Sequence, residues 1–106
     1  MTKVVVNSRL CGFVHRISGE RKGNIIDITV DSPCQNVCRL KHLEVPINDI
    51  FDIRDNYVMK MAQENGCSAN CLAPNGILQV CWIEAGLLLQ TLCDRVGCVS
   101  VDFKDE

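Results

Sequence analysis

No secretory leader is visible at the start of this chain. Met1–Leu10 holds a single apolar run, Val4–Val6, too short for the hydrophobic core of a signal peptide. No membrane span is credible either, because the most apolar stretch, Ile77–Leu92, is broken by Gln79, Glu84 and Gln90. Those two absences make the cytoplasm the default compartment. Excess charge of one sign is missing as well: the formal net charge is −2, which gives no general attraction to nucleic acid or to an anionic membrane. The local basic group Arg16, Arg21, Lys22 is interrupted by Glu20 and reads as a solvated hairpin. No phosphate-binding loop, nucleophile elbow or catalytic carboxylate pair appears, so a hydrolase or nucleotide-using enzyme has no support. There is no linker, repeat or low-complexity tract, and the 106 residues are read as one domain, 1–106.

Cysteine, by contrast, is abundant. Eight occur, at positions 11, 34, 38, 67, 71, 81, 93 and 98. In a secreted chain of this size they would suggest a disulfide framework. In a reducing compartment clustered thiols more often bind metal or do redox work. The 47% hydrophobic content also allows the chain to fold without covalent staples.

The hydrophobic pattern predicts an α+β fold of order β-β-β-α-α-α-β, a small mainly antiparallel sheet with helices packed on one face. Lys3–Asn7 reads as a first strand, and Phe13–Ser18 and Asn24–Val30 as a hairpin turning through the polar stretch Gly19–Gly23. Ile26, Ile28 and Val30 alternate with Asp27 and Thr29, so one face of the third strand should be buried. A helix is expected from Ser32 as cap and Pro33 as first residue, with Val37 and Leu40 inward, ending at Pro46. A short helical stretch after Asn48 follows, then a helix capped by Asn56 or Asp55 and stopped at Asn65-Gly66. A third should run from Pro74 or Asn75 to about Leu89, with Ile77, Val80, Cys81, Ala85 and Leu88 on one face. Cys98–Phe103 alternates and reads as a closing strand.

On this layout four cysteines stand at element ends. Cys11 follows the first strand and precedes Gly12, Cys34 opens a helix, and Cys67 and Cys71 bracket the loop into the Pro74 helix. Free amides and a helix dipole beside a thiol favour the thiolate, the form that binds zinc or an iron–sulfur cluster. Cys67-x3-Cys71 fits zinc-type spacing and also the close spacing of cluster proteins. If residues 34–42 are helical, Cys34, Cys38 and His42 share a face and form a possible ligand ladder, although plain packing is the commoner reason for such a face. Cys81 reads as core, and Cys93 and Cys98 as packing residues around the turn Asp94–Gly97, with a redox pair as the alternative. His15 reads as a surface or satisfied histidine, and Trp82 as partly buried or part of a partner surface.

The segments Val4-x-Val6-Asn7-x-x-Leu10-Cys11-Gly12-Phe13, Ile28-x-Val30-Asp31-Ser32-x-Cys34 and Cys67-x3-Cys71-x-x-Pro74, with Glu84-Ala85-Gly86-Leu87, carry a resemblance. The chain is similar to a family of small, functionally uncharacterised cysteine-containing proteins found mostly in archaea and anaerobic bacteria. The resemblance covers most of the chain and picks out Cys11, Cys34, Cys67 and Cys71. It implies that an oxygen-sensitive iron–sulfur cluster is favoured over zinc, and it leaves Cys38, Cys81, Cys93 and Cys98 outside the pattern.

Three functions are therefore weighed. The first is an iron–sulfur protein with a 4Fe-4S cluster on Cys11, Cys34, Cys67 and Cys71, moving electrons or delivering its cluster to a protein partner such as a redox enzyme. The second is a zinc-stabilised interaction module on the same four thiols, with Cys38 and His42 as possible additions. The third is a thiol–disulfide redox protein, disfavoured because no Cys-x-x-Cys is present. The case for a binding site exceeds the case for any reaction.

Overall fold

The computed structural model describes residues 1–104. Strands β1 (Thr2–Ser8), β2 (Phe13–Lys22), β3 (Ile25–Asp31) and β4 (His42–Pro46) form one antiparallel sheet in sequence order. Helices α1 (Gln35–Cys38), α2 (Tyr57–Glu64), α3 (Ala73–Glu84) and α4 (Gln90–Val96) complete the α+β fold. The alternation in β3 has the expected consequence. Ile26, Ile28 and Val30 are buried with Ile17 of β2, while Asp27 and Thr29 face away. The β2–β3 turn is tighter than the glycine spacing predicts, since Lys22 pairs with Ile25 and only Gly23 and Asn24 connect them. Gly23, at φ +65°, supplies the left-handed residue that such a turn needs.

The helix expected to reach Pro46 stops at Cys38. Leu43 and Val45 alternate with Glu44 and stand opposite Ile28 and Ile26, so β4 extends the sheet and buries the same face. Pairing with β3 satisfies more backbone groups than a continued helix would, and the edge position tolerates Pro46 at the strand end. No helix follows Asn48; turns lead to α2, which begins where expected, with Asn56 Oδ1 accepting from Met59 N–H at 2.8 Å.

Helix α3 ends at Glu84 rather than Leu89. Gly86 takes φ +79°, and the amides of Gly86 and Leu87 donate back to Ile83 and Trp82, closing a Schellman cap. The remaining helical pattern belongs to α4, which encloses Cys93 and most of the turn expected at Asp94–Gly97. Cys98–Phe103 forms no strand: Val99, Val101 and Phe103 are exposed. Alternation makes a strand only where a sheet edge accepts it, and the chain leaving α4 pairs with neither β1 nor β4.

Two glycines let α3 lie directly on the sheet. A Cβ on Gly19 would meet Val80 and Ile28, and one on Gly76 would meet Val6 and Ile17. These contacts also give direction: Gly76 stands level with Val6, whereas Glu84 bonds to Thr2. Helix α3 thus runs antiparallel to β1, and its first turn lies at the Ser8–Phe13 end of the sheet. No helix among the described residues is long and apolar enough to cross a membrane.

Candidate functional site

Three connections, carrying four cysteines, meet at that end of the sheet. The β1–β2 turn, Arg9–Gly12, is closed by Gly12 N–H donating to Ser8 C=O at 2.9 Å, with Gly12 at φ +75°. It carries Cys11 exposed to solvent. At the end of β3, Ser32 Oγ accepts from Cys34 N–H at 3.1 Å. The expected Ser32 cap is therefore made two residues ahead of the helix, and Cys34 itself is the N-cap residue of α1, with no side-chain bond. The last turn of α2 closes through Gly66, at φ +80°, and Cys67 N–H donates to Ala62 C=O at 3.0 Å. Cys71 N–H donates to Ser68 C=O at 3.0 Å just before α3 begins. Asn36 of α1 donates to Gly66 C=O at 3.2 Å, which laces the Cys34 segment to the Cys67 segment.

Cys34, Cys67 and Cys71 are half-buried and pack against the hydrophobic core. The Cys67 thiol is pushed above its ordinary pKa by burial, and further by the neighbouring Cys71 and Cys34. A thiol beside a helix end is expected to shift down; at Cys67, whose own amide is bonded to Ala62, burial and then like charge push it up instead. A bound cation reverses that balance, because it attracts the thiolates that otherwise repel one another. Among the described residues no three His, Cys, Asp or Glu side chains are grouped closely enough to hold a metal ion. Thiols are the donor type that zinc and iron–sulfur centres take; Cys67 lies within electrostatic reach of Cys71 and Cys34, and Cys11 lies in the turn at the same end.

The ligand ladder is not formed. Cys38 is the exposed last residue of α1, and His42 lies on β4 opposite Thr29. The His42 Nε2 bonds to Asp27 Oδ1 at 2.5 Å on the outer face of the sheet. Helical spacing fails because the chain changes from helix to strand between the two residues. Cys81 is core, its thiol pushed up to about 12 by burial. Cys93 lies half-buried on α4 and Cys98 is exposed beyond it. Trp82 is partly buried, its Nε1–H donating to Ile50 C=O at 2.9 Å and its ring edge-on to Phe51 at 5.9 Å.

His15 departs from the surface position that the sequence offered as one of its two readings. It is buried, not superficial, and Nδ1 lies 2.7 Å from Ser32 Oγ while Nε2 has no partner. Its alternation with Ile17 and Gly19 on β2 was the available signal, since all three share the buried face.

The match to a family model spans residues 2–95 and includes β1 through most of α4, with the cysteines at 11, 34, 67 and 71 all inside it. The chain belongs to the Family of unknown function (DUF6951). No curated protein and no solved structure matches it. Cys98 and the exposed tail lie outside the family match. The Glu84-Ala85-Gly86-Leu87 segment within it has a structural role: Glu84 accepts from Thr2 Oγ1 at 2.5 Å and from Arg21 N–H at 2.8 Å, and Gly86 caps α3.

Proposed function

We propose that this chain binds an iron–sulfur cluster at the Ser8–Phe13 end of its sheet, with Cys11, Cys34, Cys67 and Cys71 as ligands. The observation that supports this reading is that Cys67, whose pKa is raised first by burial, also feels the charges of Cys71 and Cys34, a repulsion that a bound cation would relieve. The resemblance to proteins of archaea and anaerobic bacteria favours a 4Fe-4S cluster over zinc. When bound, such a cluster supplies one-electron chemistry.

The chain's own residues hold and shield the centre. Gly66 and the α2 cap fix Cys67, the bond from Asn36 to Gly66 C=O fixes the Cys34 segment, and the hydrophobic core against which Cys34, Cys67 and Cys71 pack excludes water on that side. Cys11 sits in the exposed turn and closes the site from the solvent side, where a protein partner such as a redox enzyme can approach. The role is electron transfer or cluster delivery in the cytoplasm, and no residue here is assigned a catalytic step.

Anaerobic reconstitution with ferrous iron and sulfide tests the reading. Bound iron and labile sulfide in equal amounts, with visible absorption that bleaches on reduction, are expected. A colourless protein without either overturns it. One tightly held zinc with chelator-induced unfolding reassigns the same thiols to a structural zinc site.

A further inference from the structure

The segment after α4 carries the pattern of a strand without forming one. Val99, Val101 and Phe103 are 78%, 68% and 81% exposed, and they alternate with Ser100 and Asp102. Ser100 Oγ donates to Asp102 Oδ2 at 3.3 Å, so the two polar side chains already lie on one side of the tail. The apolar side chains face solvent, which forgoes the stabilisation that their burial would bring. Such alternation needs a sheet edge, and neither edge of the chain's own sheet takes it.

The two edges differ in what they offer a further strand. β4 is five residues long and ends in Pro46, and its inward Leu43 and Val45 are buried, so its core face is already covered. β1 is seven residues long, has no proline, and its inward Val4 and Val6 are only half-buried. An uncovered valine-rich edge is a template for another strand. We propose that Cys98–Phe103 of a second copy of this chain pairs antiparallel with β1, and that reciprocal exchange of the two tails makes a symmetric dimer.

Face and charge select the register. Val99, Val101 and Phe103 must share the inward face with Thr2, Val4, Val6 and Ser8, which limits the pairing to shifts of two residues. Setting Val101 opposite Val4 puts Val99 opposite Val6, Phe103 opposite Thr2 and Asp102 opposite Lys3. Each valine of the tail then meets a half-buried valine, and the two charges are paired. A shift of two in one direction sets Lys104 opposite Lys3, and in the other it carries Phe103 past the end of β1. Parallel registers that keep both valines on β1 place Asp102 opposite Val5 or Asn7, with no charge to meet it. Exchange of both tails closes the assembly on a two-fold axis and leaves β1 covered in each copy. The inference involves the β1 edge and the tail alone and does not depend on the iron–sulfur reading.

Sedimentation of the full chain with a thiol reductant present, so that disulfides cannot join copies, tests it. Wild type is expected to form a dimer that dissociates on dilution. Val101→Asp changes a side chain that is exposed within its own chain, so the fold is retained, and it should weaken the dimer roughly tenfold or more by setting an unpaired charge against Val4. Lys3→Glu and Asp102→Lys are each expected to weaken it about two- to fivefold, the size of a cross-strand pair, and the double variant to regain most of that loss. A wild type that stays monomeric at every concentration overturns the inference, as does a dimer that Val101→Asp leaves unweakened. Failure of the doubly reversed pair to recover overturns the register.

Discussion

A Cβ added to Gly19 of β2 would stand 2.5 Å from Cγ1 of Val80 in α3 and 2.7 Å from Cδ1 of Ile28. The closeness of helix and sheet depends on this missing atom. Both obstructing groups belong to fully buried side chains of the core, which cannot swing into solvent. Gly19→Ala is expected to lower stability by about 1–3 kcal/mol, the usual range for overpacking. A shift of the denaturation midpoint at unchanged slope in urea would show it, and an unshifted midpoint would contradict it.

Glu84 ties the far end of α3 to the sheet, and its ionised form is the one that the fold prefers. Burial pushes its pKa up, but the hydrogen bonds from Thr2 and from Arg21 N–H, with the positive N-terminus, outweigh that and hold it below the ordinary value. A depressed folded pKa means that the stabilisation is complete above the ordinary glutamate pKa and is lost as pH falls through the folded one. Glu84→Gln is expected to cost about 1–2 kcal/mol at neutral pH, where two bonds to a charged acceptor are weakened. It should also flatten the acid limb of the stability curve measured against pH. An acid limb equally steep in the variant would show that other carboxylates carry it.

Period and punctuation made most of the fold legible. The alternation of Ile26, Ile28 and Val30 gave the central strand its buried face, and Asn56, Gly66 and Pro74 marked real helix boundaries. Residues 39–46 were misread because Leu40, Leu43 and Val45 are apolar at both helical and strand spacing. The ladder with β3, a contact distant in sequence, decides between them. The end of α3 was missed because Leu87, Leu88 and Leu89 continue its apolar pattern past Gly86, whose left-handed backbone is what stops the helix. Element ends were legible at Cys34, Cys67 and Cys71, since each position follows from a local boundary. The approach of those three depends on α1, α2 and α3 meeting at one end, which no local pattern contains. His15 shows the converse: its burial was written in the period of β2, but its bonding partner Ser32 lies seventeen positions away.

Cys81 separates packing thiols from reactive ones. It is fully buried on α3, and its pKa is pushed up to about 12. It is expected to resist alkylation in the folded protein while Cys11, Cys38 and Cys98, all exposed, react. Mass spectrometry after brief native labelling reads this directly. Cys81→Ala is expected to destabilise by about 1 kcal/mol through the small cavity left among Ile77, Val80 and their neighbours.

The ladder of Cys34, Cys38 and His42 and the convergence of Cys34, Cys67 and Cys71 make opposite demands on single substitutions. His42 lies on the outer face of β4 bonded to Asp27, and Cys38 is exposed at the end of α1. Neither belongs to the proposed ligand set, so Cys38→Ser and His42→Ala are expected to leave iron and sulfide content unchanged. Cys67→Ser and Cys71→Ser remove two proposed ligands whose charges interact, and each should lower bound iron several-fold on reconstitution. Cys11→Ser tests the exposed fourth position: faster loss of the centre in air, with its initial formation retained, is the signature of a ligand that closes the site from solvent. Native content after Cys67→Ser together with loss after Cys38→Ser would place the centre along α1 instead of at the sheet end.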